Sequence, residues 1–138
     1  MSLAHLLIVL MTLAVSAGCS PREAIPPAAN QARPPVENQK LVGKWMRPDG
    51  GYVIDLRRVG ADGQLEAAYF NPNPINIAQA TWRRSDAQAL VVFIELRDVN
   101  YPGATYRLSY REDDDKLAGL YTQPALDQSF AVEFGRIP

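Results

Sequence analysis

Glu95 and Asp98 stand three residues apart and are acids of the kind that glycoside hydrolysis needs, one to donate a proton and one to attack or to activate water. Acids at the surface beside a cation such as Arg97 give the same pattern and are the commoner case. Asp113-Asp114-Asp115 gathers three carboxylates that would attract calcium, but it lacks the alternating, glycine-punctuated spacing of an EF-hand loop. A solvated hairpin turn is the better reading of that run. The chain has one histidine, His5, and one cysteine, Cys19, and both precede the part that reads as a folded domain. That domain therefore has no imidazole–thiolate metal site, no cysteine nucleophile and no histidine base. The expectation is a protein that is not an enzyme and carries no metal and no cofactor. A further set of groups suits binding rather than catalysis: the amides of Asn71, Asn73, Asn100 and Gln123, the carboxylate of Asp98 and the phenols of Tyr101 and Tyr121.

These groups are positioned by short runs whose apolar residues alternate with a period of two, as in antiparallel strands. Eight strands are expected, at about 41–46, 52–59, 64–71, 75–82, 89–97, 105–111, 116–122 and 129–136. The inward sets would be Tyr52, Ile54 and Leu56, then Leu65, Ala67 and Tyr69, then Tyr106, Leu108 and Tyr110, and last Phe130, Val132 and Phe134. Eight is a typical number for a small closed barrel. An up-and-down barrel collects alternate connections at one end, and four of them, 47–51, 71–74, 98–103 and 123–127, each contain proline. Stiff loops bearing hydrogen-bonding groups would make a binding mouth there. Proline that merely blocks edge pairing and stiffens loops is the plainer alternative. Five core-facing tyrosines could also fill so small a barrel, in which case the loops would project from a solid body.

Two sequence patterns support this layout. Asp62-x-x-Leu65-x-Ala67-x-Tyr69-x-Asn71-Pro72 matches Asp114-x-x-Leu117-x-Gly119-x-Tyr121-x-Gln123-Pro124, so a leucine, a small residue and a tyrosine share one face of a strand twice over. The small residue would let strands approach closely where the sheet curves. Gly43-Lys44-Trp45 resembles the Gly-x-Trp of lipocalins and the wider calycin families, and Arg136 resembles the arginine that stacks on that tryptophan. The glycine-rich hairpins are similar to those of avidins. The resemblance implies an all-β fold, an eight-stranded antiparallel up-and-down barrel, with Trp45 and Arg136 in a structural cation–π contact. It implies a fold and not a ligand.

The 138 residues bear a formal net charge of -1, with fourteen Lys and Arg scattered along the chain, so no basic field is available for nucleic acid. Residues 1–18 read as a signal peptide, with an apolar stretch over 6–15 that is too short to span a bilayer. Ser16-Ala17-Gly18-Cys19 resembles the bacterial lipobox, which implies acylation of Cys19 and a membrane partner through that lipid; a plain secretory signal is the alternative. Ser20 after the cysteine implies sorting to the outer membrane of a bacterial envelope. Residues 19–40, rich in proline and alanine, read as a disordered tether, and 41–138 as the barrel domain. The functional expectation is an envelope lipoprotein whose barrel binds a small or extended ligand at the proline-bearing end. The alternatives are a protein-binding module, such as an inhibitor of a periplasmic or secreted enzyme, and a structural component of the envelope.

Overall fold

Apolar alternation translates into strands nearly where the periodicity places them. The computed structural model describes residues 36–138; the expected signal peptide, His5, Cys19 and the part of the expected tether up to residue 35 lie outside the described residues. The strands are β1 (Gly43–Met46), β2 (Val53–Val59), β3 (Leu65–Asn71), β4 (Asn73–Ile75), β5 (Ile77–Arg84), β6 (Leu90–Leu96), β7 (Thr105–Arg111), β8 (Lys116–Gln123) and β9 (Gln128–Ile137). They form a single antiparallel sheet in the order β4-β3-β2-β1-β9-β8-β7-β6-β5.

Nine strands replace the expected eight because the run at 75–82 changes partners. β4 pairs with β3, Tyr69 opposite Ile75, whereas β5 pairs with β6, Ile77 opposite Leu96. The change falls at Asn76, whose carbonyl accepts from the Arg97 N–H at 2.8 Å. The ladder is consequently open between its two ends, and no continuous pairing joins β3 to β5. β3 and β5 lie side by side, and among the described residues the backbone pairing between these two sides is at one corner, where Gln64 bridges Thr81 and the Trp82 N–H donates to the Gly63 carbonyl at 2.8 Å.

One face of this sheet carries the core. Trp45, Ile54, Leu56, Tyr69, Ile94, Leu96, Tyr106, Leu108, Leu117 and Phe134 are buried on it. Cross-strand register explains the grouping, since Trp45 lies opposite Ile54, Ile54 opposite Tyr69, Ile94 opposite Tyr106 and Leu117 opposite Phe134. Gly119 lies opposite Leu108, and a Cβ there would fall on the Arg107 carbonyl oxygen, so the strands approach closely where the repeat has its small residue. Phe130, expected inward, is 47 % exposed at the start of β9. It still stacks on Tyr121, with ring centroids 6.5 Å apart.

Residues 36–40, expected in the tether, belong instead to a 3-10 helix over Val36–Leu41 that buries Asn38 and Leu41. Arg84 holds this turn from β5, donating to Glu37 at 2.7 Å and to the Asn38 side-chain oxygen at 3.1 Å. The Trp45 indole N–H donates to the Leu41 carbonyl at 3.0 Å, and the Arg136 guanidinium lies 4.1 Å from the Trp45 ring centroid. Arg136 also donates to the Val42 carbonyl at 2.7 Å, to the Lys40 carbonyl at 2.6 Å and to Asp115 at 2.6 Å. A single arginine thus ties the start of the fold to its last strand.

Candidate functional site

The pairings put the connections 47–52, 72, 97–104 and 124–127 at one end of the sheet, and 60–64, 85–89 and 112–115 at the other with the 3-10 helix. The proline-bearing loops are therefore neighbours. Asn71, at the end of β3, donates to the Tyr101 hydroxyl across two of them. Tyr101 sets its ring edge-on to Tyr69 at 6.4 Å. The Tyr69 and Tyr106 hydroxyls are hydrogen-bonded at 2.9 Å, and the Tyr106 ring stacks on Tyr121 at 4.6 Å. Gln123 donates to the Tyr121 hydroxyl at 3.1 Å.

Four of the expected binding residues, Asn71, Tyr101, Tyr121 and Gln123, are brought together in this way, but largely to bind one another or a neighbouring tyrosine. Among the described residues no buried side-chain polar atom is left without a partner. Tyr69, Tyr106 and Tyr121 are all buried beneath these loops. Burial raises all three phenols above their ordinary value, Tyr106 to about 12 despite its bond to Tyr69. They stay protonated and neutral at ordinary pH.

The remaining expected residues shape the loops or stand free of the cluster. Asp98 accepts from the Val99 N–H at 2.9 Å and, at 3.4 Å, from the backbone and side-chain nitrogens of Asn76. Its carboxylate is thereby used to hold the strand switch, while Glu95 sits on β6 opposite Gln79 and Thr105. Asn73 and Asn100 are exposed. In the acidic turn, Asp114 pairs with Arg111 and Asp115 with Arg136, and each cation holds its carboxyl below the usual range. Among the described residues no three His, Cys, Asp or Glu side chains are grouped to hold a metal.

What the periodicity did not single out is the apolar decoration of the same rim. Val99 is 91 % exposed at the tip of its loop, and Leu126 is 63 % exposed on a 3-10 turn over Pro124–Leu126. Asp127 ends that turn in the left-handed conformation, φ 51°, its N–H donating to the Pro124 carbonyl at 3.2 Å. Phe130 follows on β9. Arg47 underlies the first loop, bonded to Asp49 and set 4.6 Å from the Tyr52 ring centroid. An exposed leucine or valine is unremarkable alone, and the signal lies only in the shared end of the sheet, which needs the pairing to be seen. No family model, curated protein or solved structure matches this chain.

Proposed function

We propose that this chain is a non-catalytic bacterial envelope lipoprotein, anchored through Cys19, whose sheet curls into a filled lipocalin-like barrel that docks another protein by its proline-bearing rim. The observation that carries the reading is the contrast at that rim. Asn71 and Gln123 are bonded to the inner phenols Tyr101 and Tyr121, whereas Val99, Leu126 and Phe130 are presented to solvent. A filled interior supports a solid body with projecting loops over a vessel for a small ligand. Apolar anchors on stiff loops bury area at low entropic cost, as protein interfaces need. An inhibitor that inserts these loops into a periplasmic or secreted enzyme is the form of partner we favour.

The test is site-specific photo-cross-linking in cells, with a photoreactive residue at position 126 and a control at Arg58 on the exposed part of β2. A discrete protein adduct at 126, absent at 58 and lost in the F130D variant, is expected. Equal adducts at both positions would refute rim docking. Native mass spectrometry showing a small molecule that leaves on substitution of Asn71 or Tyr101 would refute the filled interior.

A further inference from the structure

β6 alternates Val92 and Ile94 toward the core with Val91 and Phe93 toward the outer face. On that face Phe93 lies opposite Thr81 of β5 and Arg107 of β7, and Val91 lies opposite Arg83 and Ser109. Arg83 and Arg107 consequently flank β6 from opposite sides, at positions two residues apart along it, over an apolar floor. The result is a depression of about 280 Å³ lined by Thr81, Trp82, Arg83, Val91, Phe93 and Arg107. Val91 is buried even though it faces outward.

Charge separates these two arginines from most others in the fold. Arg47, Arg57, Arg58, Arg84, Arg111 and Arg136 each have a carboxylate partner. Among the described residues neither Arg83 nor Arg107 forms an ion pair. Arg107 instead lies over the Phe93 ring, 5.9 Å from its centroid. Guanidinium forks flanking an aromatic and aliphatic floor match a ligand with an anionic head and an apolar body. The head would be held from both sides while the body covers Phe93 and Val91.

We infer that this depression, away from the rim, is a second binding site, for a small carboxylate carried on an aromatic or aliphatic group. The test is a titration of the full chain with phenylacetate, followed by amide and side-chain NMR shifts. Saturable shifts at Thr81, Val91 and Phe93 are expected, weakened about tenfold in R83Q and again in R107Q, since a charge-assisted bond is worth about that ratio. Acetate and 2-phenylethanol, each lacking one half of the chemistry, should bind at least about tenfold more weakly than phenylacetate. R107K should retain part of the affinity, which a merely structural role for Arg107 would not require. Both arginines point outward, so an unchanged near-UV spectrum will identify folded variants. The inference is overturned if phenylacetate gives no saturable shift, if the shifts fall on the rim, or if folded R83Q/R107Q binds as the parent does.

Discussion

Tyr69 and Tyr106 share one buried hydrogen bond, and the two are not equivalent. The Arg47 guanidinium favours ionisation of the Tyr106 phenol against its burial, whereas Tyr69 has only other phenols around its hydroxyl. Removal of the Tyr106 hydroxyl leaves Tyr69 alone in the interior. Y106F should therefore cost about 1–3 kcal/mol in urea unfolding and Y69F less, while the double variant should cost less than the sum. The same group is one of three buried phenols, with Tyr69 and Tyr121, that shape behaviour in alkali. Burial lifts Tyr106 to about 12 against about 10 in an unfolded chain, so the fold keeps a proton that the unfolded chain releases. Its contribution is complete below about pH 10 and is lost as pH rises toward about 12, and Y106F should flatten that part of the stability profile. At the acid end the carboxyl of Asp115 is held low, first by its bond to Arg136. Its contribution is present above the ordinary carboxylate range and disappears as pH falls through the lowered value. Asparagine tolerates the left-handed conformation of residue 115, φ 49°, so D115N should fold and lose that acid dependence. Unfolding midpoints measured across pH check both signs.

Strands and turns are held in place by a few tight approaches. At Gly43, φ 144° and the Arg136 guanidinium both exclude a side chain, because a Cβ would fall on the arginine Nη1. At Gly119 the obstacle is backbone, the Arg107 carbonyl, which cannot swing away. G119A should accordingly destabilise by about 2 kcal/mol or more, with the m-value of urea unfolding unchanged. G43A should also destabilise, and it should do so less when Arg136 is methionine, since the clash has then been removed. Much of this was legible beforehand. Alternation located the strands, the repeat marked Gly119 as a close approach, and Trp45 with Arg136 named a contact that lies at 4.1 Å. Residues 36–40 were not legible as fold, because a single 3-10 turn has no period to detect and follows a proline-rich stretch. What orders them is distant in sequence: Arg84 bonds Glu37 and Asn38, and Arg136 bonds the Lys40 carbonyl. The strand switch was hidden for a similar reason. Asn76 changes partners through Arg97 and Asp98, which no local pattern records.

At the scale of the whole chain, the question is how the sheet manages two unpaired ends. Eight ladders run from β4 through β3 and round to β5, while the backbone pairing across the seam between β3 and β5 is at one corner. There the Trp82 indole N–H donates to the Gly60 carbonyl at 2.7 Å, and its backbone N–H donates to Gly63. Trp82 thus clamps the 60–64 turn onto β5 by side chain and main chain together. The candidate site residues follow the same rule as the fold. Asn71 and Tyr101 were readable as polar groups at one end, but their mutual bond and the convergence of Arg83 and Arg107 depend on register between strands. W82F keeps the ring and deletes the side-chain half of the clamp. The loss of one hydrogen bond, about 1 kcal/mol, should speed hydrogen exchange of the Trp82 backbone amide about fivefold. Amides of Val92 and Leu108, in the centre of the β6–β7 ladder, should keep their rates if the seam opens separately from the rest of the sheet. Equal acceleration of all three would instead make the corner part of the global unfolding unit, because the only route to exchange at Trp82 would then be the loss of the whole core.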